Sequence, residues 1–215
     1  MLKIMDLSKK FKKRMVLDHI NLELAFGNIY GFIGANGSGK SVFFKTICGF
    51  LKADGGTVAL NDKVIGKDID FLPELGVLIE KPGFIENYTQ FENLKYLAQI
   101  NNTIHDEDIK AALEMVGLDP DNHEKVKNFS LGMRQRLGIA QAIMEDQKII
   151  ILDEPFNGLD KQGAAQIKQL LLGLKSPDRL ILLTSHIAGD IEELSDDIFE
   201  FSAGKIVPGL YQLNL

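Results

Sequence analysis

Eight residues, Gly34-Ala35-Asn36-Gly37-Ser38-Gly39-Lys40-Ser41, have the G-x-x-x-x-G-K-[ST] spacing of a phosphate-binding loop. The run before them, Ile29–Ile33, is apolar and strand-like, and Val42, Phe43, Ile47 and Leu51 follow as the apolar face of a helix. A strand, a glycine turn and a helix in that order commit this part of the chain to an α/β fold, with the loop at the carboxyl edge of the sheet. Glycines let backbone N–H groups converge on phosphate oxygens, and the helix that starts at the loop turns its positive dipole end to them. Lys40 would reach the β- and γ-phosphates, and the Ser41 hydroxyl would ligate Mg²⁺. Gly34, Asn36, Gly37, Ser38, Gly39 and Val42 complete the nucleotide-contacting set expected here. The loop alone says nucleoside triphosphate, because kinases, GTPases and motor ATPases share it.

Further apolar runs, Gly76–Ile79, Ile149–Leu152 and Leu180–Thr184, lack alternation, as expected of parallel strands covered on both faces. Leu2–Asp6, Ile20–Leu24 and Thr57–Leu60 alternate like half-buried strands, and Asn61-Asp62 turns the last of these into a hairpin with Val64-Ile65. A final hairpin is expected from Ile198–Phe201 and Lys205–Val207, turned at Ala203-Gly204. Between them the pattern becomes helical. Thr89-x-x-Glu92 is a capping box ahead of Phe91, Leu94, Leu97 and Ile100. Ile109, Ala112, Leu113 and Val116 continue the period until Gly117, and Ser130 could cap a third helix carrying Leu137, Ala140, Ile143 and Met144. The expected architecture is one α/β domain, residues 1–215, with a helical insertion over residues 85–145.

Lys148-Ile149-Ile150-Ile151-Leu152-Asp153-Glu154-Pro155 is a buried strand ending in two acids. Asp153 would sit beside the Mg²⁺ and bind it through water; Glu154 would polarise an attacking water as general base, which favours hydrolysis over transfer to an organic acceptor. His186 follows Leu180–Thr184 and should reach the same sheet edge, where a neutral imidazole could bond a γ-phosphate; a loop histidine without a role is the other reading. His19, His105 and His123 carry no motif and read as surface or packing residues.

Composition narrows the setting. Hydrophobic residues are 45% and charged residues 25% of 215, enough for a full core. The net charge of -6 offers no bulk basic surface for a nucleic-acid backbone. Cys48 is the one cysteine, and no apolar run is long enough to span a bilayer. No signal peptide is read at the N-terminus, so a cytoplasmic location is expected.

Phe129-Ser130-Leu131-Gly132-Met133-Arg134-Gln135-Arg136 stands upstream of Asp153-Glu154. Together with the loop, the acid pair and the downstream histidine, it resembles ABC-type ATPases, the nucleotide-binding subunits of ABC transporters, over about residues 2–207. The resemblance implies a P-loop NTPase of ABC type: a mixed sheet core with an N-terminal antiparallel β region and an inserted helical subdomain. Gly34–Ser41 matches the Walker A loop, Asp153 the Walker B aspartate, Glu154 the catalytic glutamate and His186 the switch histidine. Asp160, in Asn157-Gly158-Leu159-Asp160, matches the D-loop aspartate, and Phe11 the aromatic that stacks on adenine. The surrounding basic run, Lys9–Arg14, reads as a solvated turn. Two positions depart from the family pattern. The signature Leu-Ser-Gly-Gly-Gln reads Phe129-Ser130-Leu131-Gly132-Met133 here, keeping Ser130 and Gly132 as phosphate contacts. The Q-loop glutamine is replaced by Glu80, which could still ligate Mg²⁺ while adding negative charge beside the phosphates.

By that resemblance, ATP and Mg²⁺ are bound between two subunits of a homodimer, one giving Lys40, Ser41, Asp153, Glu154 and His186, the other Ser130 and Gly132. A separate transmembrane permease would dock near Glu80 and the helical insertion, with Phe84–Phe91 as a candidate contact, and would hold the chain against the inner face of the cell membrane. Gly76–Phe84 and the Ser130–Arg136 helix start are similar to the bacitracin-resistance and lantibiotic-immunity branch, which implies export of peptide antibiotics or other amphipathic substrates. A soluble ABC ATPase serving a cytosolic assembly or a nucleic-acid process is the alternative.

Overall fold

A computed structural model of the protein describes residues 1–80, 82–187 and 189–207. Leu2–Phe11 (β1) and Arg14–Leu24 (β2) form a long hairpin, followed by Ile29–Ile33 (β3) and Lys40–Ile47 (α1). Gly55–Leu60 (β4) and Lys63–Val64 (β5) make the expected second hairpin, and Leu75–Leu78 (β6) follows. Gln90–Asn101 (α2), Asp106–Met115 (α3), a short 3-10 turn at Val126–Asn128 and Leu131–Ile143 (α4) come next. Then Ile149–Leu152 (β7), Lys161–Leu174 (α5), Leu180–Ser185 (β8), Gly189–Glu192 (α6), Asp197–Ser202 (β9) and Lys205–Val207 (β10) close the described chain.

Two sheets result. The four-stranded one is antiparallel, in the order β2-β1-β4-β5; the six-stranded one runs β10-β9-β3-β8-β7-β6, parallel from β9 to β6 with β10 antiparallel at its edge. Side chains of the central strands alternate between two cores. Ile29, Ile33, Ile150, Leu152, Ile181 and Leu183 join the core shared with α2 to α5. Tyr30, Phe32, Ile149, Ile151, Leu180 and Leu182 join the core filled by Phe43, Phe44 and the antiparallel sheet. Every residue of β3, β7 and β8 is buried, as the unbroken apolar runs require.

Several strands shift by a residue or two from the expected bounds, and the first hairpin differs most. β1 runs on to Phe11 and β2 starts at Arg14, so most of Lys9–Arg14 is strand and only Lys12-Lys13 turns. Lys9 pairs with Asp54 at 3.2 Å, and the Lys10 N–H donates to the same carboxylate at 2.7 Å, so the run is not a freely solvated turn. Alternation failed to show this because the register shifts between Ile4 and Leu7 and again between Leu7 and Lys9, with Asp6 at φ 52°. The helices formed where their caps stand. The Thr89 hydroxyl accepts from the Glu92 N–H at 3.1 Å, and the Glu92 carboxylate accepts from the Thr89 N–H at 2.6 Å. Ser130 caps α4, accepting from the Met133 N–H at 3.2 Å.

Candidate nucleotide site

Strand order creates the site. β8 lies between β3 and β7, so the ends of these three strands bring the loop, the acid pair and the segment before His186 to one edge. The loop leaves β3 and re-enters regular structure at Gly39, whose φ of 120° is a left-handed conformation that favours glycine. α1 begins at the next residue, Lys40, which puts its N-terminal N–H groups beside the loop. Lys40 is buried, and its Nζ donates to the Gly34 carbonyl at 2.6 Å and the Ala35 carbonyl at 3.4 Å. A side chain folded back over the loop in this way has its ammonium where phosphate oxygens would be cradled.

Ser41 Oγ donates to Asp153 Oδ2 at 2.5 Å, joining the loop to the end of β7. A hydroxyl and a carboxylate converging in this manner are hard oxygen donors suited to a divalent cation such as Mg²⁺. Among the described residues no cluster of three or more His, Cys, Asp or Glu side chains could hold a metal alone. A cation at Ser41 and Asp153 would therefore share its coordination with nucleotide phosphates and water. The next residue, Glu154, projects from a turn at φ 54°. Its N–H donates to Thr184 Oγ1 at 2.8 Å, and its carboxylate Oε2 lies 2.8 Å from His186 Nδ1. The expected acid pair and histidine are thus brought together.

A pocket of about 270 Å³ over the loop is lined by Asn36, Gly37, Gly39, Lys40, Ser41 and Val42, and closed by Arg14, Val16, Asp153 and Glu154. Gly34 and Ser38 belong to the loop without lining this pocket; the Ser38 carbonyl accepts the Gly204 N–H at 3.0 Å. Phe11 does not line it either. Its ring is exposed at the end of β1 with Lys9 Nζ 5.5 Å from the centroid, and Arg14 and Val16 stand on the pocket wall. Glu80 lines a neighbouring cavity of about 450 Å³ with Asp153, Glu154 and Gln135, and its carboxylate pairs with Lys45 at 2.6 Å.

Ser130, Gly132 and Asp160 lie outside the loop pocket. Ser130 is exposed at the start of α4, and Gly132 packs against the Gly158 carbonyl. Asp160 caps α5 by accepting the Gly163 N–H at 2.7 Å. Within one chain, then, Lys40, Ser41, Asp153, Glu154 and His186 form one cluster, and Ser130, Gly132 and Asp160 stand apart from it. Phe84 and Phe91 are half-buried against the core, while Ile85 and Tyr88 between them are exposed. A groove of about 370 Å³ runs beside them, lined by Lys45, Phe50, Pro82, Phe84 and Tyr96.

Thr184, inside an apolar run, and Gln135, in the signature stretch but given no role of its own there, hold the acid pair. Thr184 is fully buried; its hydroxyl donates to Asp153 Oδ1 at 2.5 Å while accepting from the Glu154 N–H. Gln135 Nε2 donates to the Glu154 carbonyl at 2.9 Å.

Comparison with known proteins bears on the family and the fold. The ABC transporter family profile matches residues 17–157. The chain is 39% identical over 206 residues, 96% of its length and 94% of the relative's, to an uncharacterised ABC transporter ATP-binding protein, YybJ, of Bacillus subtilis (strain 168). It is 35% identical over 207 residues, 96% of its length and 89% of the relative's, to the lantibiotic transport ATP-binding protein SrtF of Streptococcus pyogenes. Among solved structures it superposes over the full length of both chains, with a TM-score of 0.89 and 21% identity, on the dimeric post-hydrolysis ATP-binding cassette MJ0796 bound to ADP and Pi.

Proposed function

This chain belongs to the ABC transporter family, and on that premise we propose how its site works. It is an ATP-binding, ATP-hydrolysing subunit that powers a separate membrane permease. ATP lies over the Gly34–Ser41 loop, with Lys40 leaving the Gly34 carbonyl to meet the β- and γ-phosphates. Ser41 and Asp153 would hold Mg²⁺, with Glu80 as a further oxygen nearby, and the ion would neutralise phosphate charge. Glu154 takes a proton from the attacking water, and the His186 imidazole orients the carboxylate that does so. Phe11 stands on the adenine side of the site, one hairpin turn from Arg14. The observation that carries this reading is the shared corner: Ser41 bonded to Asp153, and Glu154 bonded to His186.

The remaining parts follow from the groups that stand apart. Ser130, Gly132 and Asp160 serve the nucleotide of a second copy of the chain, so that two ATP molecules are enclosed by a two-fold homodimer. The dimeric state of the structural relative supports this. We read the described residues as one domain, with residues 85–145 as its helical subdomain. The groove beside Phe84 is the face for the permease, which places the protein peripherally at the inner membrane surface. Among the described residues no helix is long and apolar enough to cross a membrane. Transport of a peptide antibiotic, as in the name of the lantibiotic relative, is the proposed task. Relatives named as transport proteins disfavour the alternative of a cytosolic assembly or nucleic-acid ATPase.

The test is phosphate release by Glu154→Gln beside fluorescence-detected ATP binding. Binding is expected to persist while turnover falls on the order of a hundredfold, the scale of a lost general base. Near-wild-type phosphate release by that variant would overturn the assignment of Glu154.

A further inference from the structure

Gln135 sits on α4, ~7.5 Å along the helix axis from its cap Ser130. Its carboxamide reaches the backbone of the general base rather than its side chain: Nε2 donates to the Glu154 carbonyl at 2.9 Å. That carbonyl also accepts the Asn157 N–H at 3.2 Å, closing the turn that leads from Glu154 into Asn157–Asp160. Glu154 holds a left-handed backbone at φ 54°, which a residue with a Cβ keeps only when its surroundings impose it. Two side chains do so: the Thr184 hydroxyl fixes the N–H side of the residue and Gln135 fixes its carbonyl side. The start of α4 is tied to the same loop, with Leu131 packed over Gly158 and Gly132 against the Gly158 carbonyl.

We propose that Gln135 is a positioning residue that sets the backbone turn carrying Glu154 and thereby couples the two nucleotides of the dimer. When Ser130 and Gly132 engage the nucleotide of the partner copy, α4 is held in one register, and Gln135 transmits that register to the base acting on the chain's own nucleotide. The coupling half of this proposal rests on the two-copy reading given above; the positioning half does not. No bond is made or broken by Gln135, and it touches no reacting atom.

Gln135→Met keeps length and volume and removes the donor; Gln135→Glu keeps the shape and replaces the donor by an acceptor facing a carbonyl. Both are expected to lower kcat about tenfold while leaving ATP affinity, read by fluorescence of a nucleotide analogue, within about twofold. Melting curves accompany both, so that a variant that fails to fold is replaced by the other. A kcat within about twofold of wild type in the folded variants overturns the positioning role, as does a loss confined to ATP affinity. The coupling role is read from a double-mutant cycle on kcat with Ser130→Ala. The double variant is expected to lose little more than the worse single variant; losses that multiply overturn the coupling. Sedimentation of Glu154→Gln with ATP and Mg²⁺ tests the two-copy reading separately. Its failure removes the coupling half and leaves the kcat of Gln135→Met to judge the positioning half.

Discussion

Thr184 is the residue on which the geometry of the acid pair turns. Its one hydroxyl serves Asp153 as donor and Glu154 as acceptor, at full burial. Thr184→Val keeps the shape and leaves the Glu154 N–H without a partner, at a cost of about 1–3 kcal/mol in stability. Turnover is expected to fall about tenfold or more, and Thr184→Ser, which keeps the hydroxyl, is expected to recover most of both losses. Denaturant titration and steady-state phosphate release check the two arms. The loop residues and Asp153-Glu154 were legible in the sequence because each set is contiguous, and its spacing is the chemistry. Thr184 was not, since a threonine inside an apolar run also reads as an ordinary strand former. Its role exists only because β8 is threaded between β3 and β7. Gln135 was hidden for the same reason: its partner is a backbone atom of a distant strand end.

At the scale of elements, β6 and α4 meet at Gly76. A Cβ at that position would overlap the Ala142 carbonyl oxygen of the helix backbone, which cannot rotate aside. Gly76→Ala is therefore expected to destabilise the fold by about 3 kcal/mol, the upper range of overpacking, read as a lower urea midpoint. The segment joining α5 to β8 offers a pH test. Lys148, 2.7 Å away, and then the Ser176 hydroxyl hold the Asp178 carboxyl down to about 2, from an ordinary 3.8. A lowered carboxyl contributes stability above its ordinary range and loses it as pH falls through the folded value. The Tm gap between wild type and Asp178→Asn is expected to be present at neutral pH. It should shrink as pH drops from 3.8 towards about 2. A gap that stays constant across that interval would contradict the pairing. Unbroken apolar runs, such as β3 and β7, were read from sequence with their observed bounds. β1 and β2 were read too short, because bulges at Asp6 and beyond break the two-residue period.

At the scale of the molecule, the groups proposed for one half of an ATP site lie together, and those proposed for the other half, Ser130, Gly132 and Asp160, lie outside the loop pocket. Lys40, Ser41, Asp153, Glu154 and His186 share one corner. Ser130 and Asp160 are exposed and cap α4 and α5. The general fold was legible from sequence because strand, loop and helix signals recur in order. Phe11, at the end of β1 and opposite Arg14, lies outside the loop pocket, whose wall there is Arg14 and Val16. On the proposed reading, a site divided in this way acts only when two copies close on two nucleotides. Sedimentation velocity on Glu154→Gln with saturating ATP and Mg²⁺ measures this directly. A shift from monomer to dimer on adding ATP, absent with ADP, is expected; a monomer under both conditions would contradict the shared site.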